Sequence, residues 1–550
     1  MCYNKSVFPL LMKIRWLSFK NVARDAWAKN PFLACVLALG GVILFTGVLG
    51  GFLIFLKFAG TGEALQESIF SVFYFLLLFL LAGAVPFVAS TLLQSADYGL
   101  LFNAPVPPRT VIAAKLLDAT VTNSLQFLVL GIPAMVATAI VLQLPLIGWL
   151  LLPLLVAFFA LLPALLTALA LLILLSTIGV ARLRGILIIL NGIMALIVCI
   201  TIVFETNHIP RFREFGRYLM SNSAPPLKAS PAAHFAPSAW FAEVLLDLSH
   251  GKMGMALLRL GVIALLCVVL YAICMEMGAK LLTAGNVAED TSSGTISAGG
   301  HEANNPFSGK PIFALIRKDF RYLKRDAMLL SQLVMPILLY FVPFLLSRTS
   351  PDLKPQDELF PLTMTMVGTI LFMQTSILSL SSIGLEGRSF WISLVSPNST
   401  LRILQAKWLM STLFTTSVSL TLTVIACFVF STPFVLSVAS LGVVVLACAA
   451  LCGLGVGISA SFPRFVYENP AHRVSFWALT LGFFTTLGYL FMTGILFVGA
   501  WYLSLKTQSP GETRILWATT FVFYSGVSFL SVIFPLAVGA RRLSNYPWEH

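Results

Sequence analysis

Apolar runs long enough to cross a bilayer recur along this 550-residue chain, separated by short breaks that carry charge, proline or glycine. A helical crossing takes about 20 such residues. Reading on that length gives about twelve spans: 32–57, 70–93, 116–141, 146–176, 185–204 and 254–279, then 328–347, 362–385, 403–430, 433–460, 474–500 and 516–538. With 58% apolar residues, 10% charged residues and a mean hydropathy of +0.93, no ordinary soluble class stays open. The sequence predicts an all-α polytopic membrane protein.

The net charge of +13 is better explained by orientation than by nucleic acid, because Lys and Arg collect in loops that stay cytoplasmic. Lys5, Lys13, Arg15, Lys20, Arg24 and Lys29 precede the first span, and Lys280, Lys310, Arg317, Lys318, Arg321, Lys324 and Arg325 fill the central connection. Both termini are therefore expected in the cytoplasm. The loop of about 205–253 puts five cations on the outer side, but long loops translocate largely regardless of charge. The first 31 residues are too charged and too long to read as a cleaved signal, so the first span is expected to stay as an anchor. Eight cysteines show no zinc spacing and read as small packing residues.

Residues 285–311, GNVAEDTSSGTISAGGHEANNPFSGKP, have the composition of a flexible linker. They divide the chain into a first six-span half, 1–284, and a second, 312–550. Residues 94–115 lie over 386–407 at a constant offset of 292, pairing Pro105 with Pro397, Ala114 with Ala406 and Lys115 with Lys407. FKNVARDA at 19–26 lies over FRYLKRDA at 320–327, matching Arg24 and Asp25 with Arg325 and Asp326. Similar elements in one order at one depth predict two parallel six-helix repeats.

Before span 7, Ile312, Leu315, Ile316, Phe320 and Leu323 recur at helical spacing among Arg317, Lys318, Arg321, Lys324 and Arg325. That pattern predicts a cytoplasmic interfacial helix, apolar side in acyl chains and cations toward headgroups, with a weaker copy before span 1. A plain positive-inside anchor is the alternative. The segments after spans 2 and 8 read as a short surface helix, a proline-bearing turn (APVPPRT; SPNST) and a helix start. Lys115 and Lys407 then fall in the first turns of spans 3 and 9, where a long side chain reaches phosphates or a carboxylate.

No GxxxxGK[ST] is present; the nearest stretch, NNPFSGKP, lacks the first glycine and puts Pro311 where the magnesium-binding hydroxyl belongs. The spans hold almost no ionisable residues of the kind ion-coupled carriers use. No HExxH, GxSxG or paired carboxylates point to an intramembrane enzyme.

At the helices before spans 1 and 7, at NAPVPPRTVIAAK and VSPNSTLRILQAK, and at FPRFVYENPAHRV between spans 10 and 11, the chain resembles ABC-2-type ATP-binding-cassette exporter permeases, in the long bacterial form with two fused six-span halves. The resemblance implies a transport subunit of the bacterial cytoplasmic membrane, not itself an enzyme. It binds no cofactor, and ATP acts through ABC ATPase subunits, one per half. It implies coupling loops at 94–108 and 386–400, with Asp97, Pro105, Pro107, Arg109 and Lys115 in the first and Glu386, Arg388, Pro397 and Lys407 in the second. Interfacial helices around Arg24, Asp25, Arg325 and Asp326 would transmit motion, and 237–248 would be an interfacial helix near an outer gate. Membrane lipids are expected contacts; the substrate is not legible. The alternatives are an ATP-independent carrier or lipid flippase with an internal repeat, and a scaffold without transport activity.

Overall fold

Every described element is helical, and no strand occurs among the described residues. The structure is a computed structural model and describes residues 13, 17, 20, 21, 24, 31–58, 60, 62–93, 106–178, 183–208, 231–283, 311–340, 360–467, 473–506 and 509–546. The chain divides into two compact units, Met1–Ser297 and Ala298–His550. Most of the expected linker, 285–310, lies outside the described residues, as do Asp25, Asp97 and Pro105.

In the first unit the helices are α1 (Pro31–Phe58), α2 (Glu63–Leu93), α3 (Pro108–Val141), α4 (Leu146–Ile178), α5 (Leu183–His208), α6 (Pro231–Phe235), α7 (Pro237–Ser249) and α8 (Met253–Thr283). Helix α2 is buried along most of its length and packs on α3, α4, α5 and α7. Phe159 of α4 centres an aromatic cluster, stacked on Phe127 at 5.3 Å and edge-on to Phe73 at 5.7 Å and Phe241 at 4.8 Å. The segment 237–248, expected at an interface, is a packed helix: Phe241, Leu245 and Leu248 are buried, while Trp240 remains exposed. Arg259 of α8 holds it, bonded to Glu243 at 3.0 Å and also to Asp247 one turn on. The hairpin between α7 and α8 turns at Gly251, whose φ of +73° suits a residue without a Cβ.

In the second unit the helices are α9 (Pro311–Arg325), α10 (Ala327–Leu339), α11 (Phe360–Leu378), a 3-10 turn (Gly384–Ser389), α12 (Phe390–Val395), α13 (Thr400–Val429), α14 (Phe434–Ser461), α15 (Phe476–Lys506) and α16 (Pro510–Ser544). Helix α14 is the core element. Its glycines bring other backbones close: a Cβ on Gly453 would lie 2.8 Å from Val532 Cα, and one on Gly457 would overlap the Pro535 backbone of α16. On the side facing α13, Thr415 meets the Cys452 thiol at 3.4 Å, a hydroxyl–thiol contact suited to a dry interior. Proline stands inside α2, α3, α4, α10 and α16, as helices of a membrane protein tolerate.

Among the described residues, eight helices are long and apolar enough to cross a membrane: Ala38–Lys57, Glu63–Leu93, Leu146–Thr177, Met253–Leu281, Thr400–Val429, Phe434–Ser461, Phe476–Ser504 and Pro510–Ser544. Four expected spans are not among these eight. In α3 and α5 the apolar stretches found among the described residues are Leu130–Val141 and Leu187–Ile200. Helix α10 is described for 13 residues, and α11 stops at Leu378, short of the expected 385. Beyond Leu378 the hydroxyls bond back to carbonyls, Ser381 Oγ to Ile377 O at 2.5 Å and Ser389 Oγ to Glu386 O at 2.6 Å, which competes with further α-helix.

Candidate functional site

Helix α9 explains how the charged residues of the second unit come together. Its inward stripe contains Leu315, Ile316 and Leu323, but also Asp319, four residues from both Leu315 and Leu323. The three apolar residues pack on buried clusters of protein side chains. Three of the five apolar residues expected in acyl chains, Leu315, Ile316 and Leu323, thus lie on protein, whereas Phe320 stays exposed. A carboxylate on such a face is tolerated only with a cation beside it.

Lys407, in the second turn of α13, supplies that cation. Its Nζ lies 3.4 Å from Asp319 Oδ2 and 2.5 Å from Glu386 Oε1, and donates to Ser382 O at 3.0 Å. Lys318 Nζ reaches the same Glu386 oxygen at 2.8 Å and donates to Ser393 Oγ of α12 at 3.2 Å. Ser393 in turn donates to Glu386 Oε2 at 2.8 Å. The cluster therefore holds two ammonium and two carboxylate groups and joins α9, the 3-10 turn, α12 and α13. The side chains of Lys407 and Glu386 are each only 4% exposed. Burial by itself pushes the Glu386 carboxyl up, but the charges and hydrogen bonds of Lys407 and Lys318 outweigh it and hold the group down at about 2.

The turn that presents Glu386 is fixed from the other side. Gly387 has a φ of +51°, and a Cβ at Gly384 would run into the backbone carbonyl of Arg473. Phe390 stacks on Phe465 at 5.3 Å, and Phe465 meets Tyr546 edge-on at 5.2 Å. Arg473 Nη1 donates to Asp326 Oδ2 at 2.7 Å, while Asp326 Oδ1 caps α10 by accepting from Leu329 N at 2.9 Å. The described parts of FPRFVYENPAHRV thus brace the turn and the junction of α9 with α10. After α12, Ser399 caps α13 by accepting from Arg402 N at 3.4 Å.

The structure sorts the expected site residues. Glu386 and Lys407 come together but are buried, so they offer no surface to a partner, whereas Arg388, Pro397 and Arg325 are exposed. Asp326 is a helix cap and ion-pair partner. In the first unit, Pro107 precedes α3 with Pro108 at its first position, the exposed Arg109 bonds Glu276 at 2.8 Å, Lys115 is buried, and Arg24 is helical and exposed. Asp319 and Ser393 were not expected at a site, and Lys318 was expected only as one of the cations turned toward headgroups. The signal for Asp319 was present, as the one carboxylate on the apolar stripe of an otherwise cationic helix.

The fold and site define a helical membrane-type protein with a four-charge cluster in its second unit, built around the buried Lys407 and Glu386. The family model described as "Putative ATP-binding cassette" matches residues 30–547, and the chain belongs to that family. Comparison with curated proteins and with solved structures finds no match. The family overturns three expectations: the resemblance to an ABC-2 permease, the role of a subunit driven by a separately encoded ATPase, and the absence of ATPase function from the chain. The described residues themselves do not fit a Walker-type nucleotide cradle, which is a strand, a glycine-rich loop and a helix. The buried Lys407 is already neutralised by Asp319 and Glu386, which would repel phosphate oxygens. Nucleotide phosphates have no place at that lysine.

Proposed function

We propose that the chain is a membrane-embedded member of an ATP-binding-cassette transport system, in which the Asp319–Lys407–Glu386–Lys318 cluster carries ATP-driven motion into the membrane helices. The cluster is the observation that supports this reading. Ion pairs join α9, the 3-10 turn and α13 in it, and none of these three can shift against the others without exposing or stranding a charge. An energetic cost of that kind makes the elements move together or switch between distinct arrangements. The reading extends to twelve crossings in two six-helix halves, 1–284 and 312–550, in a cytoplasmic membrane with both ends inside, as the Lys and Arg distribution favours. The segments with Asp97, Pro105, Pro107, Arg109 and Lys115, and with Arg388 and Pro397 beside the cluster, are the transmitting segments in this proposal. Arg24, Asp25, Arg325 and Asp326 mark the helices that receive the motion.

Disulfide cross-linking in native membranes tests it. The Lys318→Cys/Ser393→Cys pair replaces a contact of 3.2 Å between α9 and α12. Cross-linking yield is expected to change several-fold between nucleotide-free membranes and membranes trapped with ATP and vanadate. Equal yields in both states would rule out a transmitting role for the cluster.

A further inference from the structure

Helix α9 separates its charges by direction. Asp319 and Lys318 turn toward Glu386 and Lys407, and Asp326 at the end of the helix is taken by Arg473. Arg317, Arg321, Lys324 and Arg325 are left exposed, and among the described residues no carboxylate pairs with them. Two large rings stand among these cations, Phe313 at 63% and Phe320 at 42% exposure. Positions 313, 317, 320, 321 and 324 follow helical spacing, so rings and cations share one ridge. Lys324 Nζ sits 4.8 Å from the centre of the Phe320 ring. The opposite side of α9 is already covered by protein, and one residue beyond its last turn the chain enters the apolar helix α10.

We propose that this ridge is a binding surface for anionic lipid headgroups. Arg317, Arg321 and Lys324 contact the phosphodiester, while Phe313 and Phe320 enter the boundary of the acyl chains. The cations alone would suit any anion. The interleaved rings favour a lipid, because only a surface that is anionic outside and apolar just beneath satisfies both kinds of side chain. A free phosphate would leave the rings in water. Helix α9 packs on the first turns of α13, one of the helices of membrane-crossing length, which brings the ridge to the end of such a helix.

The test uses the full-length protein in nanodiscs of phosphatidylcholine alone or mixed equally with phosphatidylglycerol, with thermal unfolding as the readout. Phosphatidylglycerol is expected to raise the unfolding temperature of the wild type. The rise should be lost in R317Q/R321Q/K324Q and kept in the charge-preserving R317K/R321K/K324R. Each cation near an anionic surface is worth a factor of about five, so the triple neutralisation weakens the lipid preference on the order of 100-fold. In the wild type itself, added salt should shrink the effect as screening increases. An undiminished rise in R317Q/R321Q/K324Q, or a wild-type effect insensitive to salt, overturns the proposal. So does an equal rise produced by inorganic phosphate in phosphatidylcholine nanodiscs, which would mark a simple anion site.

Discussion

At the scale of single residues, Lys407 and Glu386 set the strongest constraint. Removing one partner of a buried ion pair costs about 3–5 kcal/mol, because the other charge stays buried without compensation. Lys407→Met and Glu386→Gln are each expected to lower the unfolding temperature in detergent sharply, with the double variant losing less than the sum. A fully additive double variant would show that the pair is not coupled. The pH dependence follows from the Glu386 carboxyl, held at about 2 against an ordinary value of 4.5. A depressed carboxylate contributes stability that is fully present above about 4.5 and is lost as pH falls toward 2. Acid titration of the wild type should therefore show a destabilising step below about 4.5 that Glu386→Gln lacks. Because Lys407 holds carboxylates rather than phosphates, Lys407→Met should leave the affinity of native membranes for a fluorescent ATP analogue unchanged; a large loss would assign the lysine to nucleotide instead.

At the scale of elements, the legible features were those that depend on local chemistry. Apolar length located the helices, and serine and proline marked the starts of α13 and α3. What could not be read was which face of α9 would be covered. Its cations suggested an exposed helix in lipid, yet the deciding residue was Asp319, whose partner Lys407 lies 88 positions away. Pairings at that separation leave no periodicity in the sequence. The same limit applies to Gly384 and Gly457, whose need for a bare backbone arises from Arg473 and Pro535. Gly457→Ala is expected to destabilise the protein by about 1–3 kcal/mol through overpacking of α14 against α16, as measured by thermal unfolding. Gly488→Ala, with open space at its Cβ, is the control expected to have little effect.

At the scale of the whole molecule, the two units are not copies in their chemistry. The alignment that pairs Lys115 with Lys407 sets Gln94 against Glu386, and the one that pairs Arg24 with Arg325 sets Ser18 against Asp319. The carboxylates of the cluster therefore belong to the second unit alone. Co-expression of residues 1–297 with 298–550 as separate chains should leave the acid step in the fragment that contains Glu386 and absent from the other. If the first fragment showed the same step, the cluster would not be its source. The glycine contacts of α14 carry a different consequence. A seam with no room for one added carbon has no room for a small molecule either, so at these glycines α14 and α16 act as one plank with nothing able to pass between them.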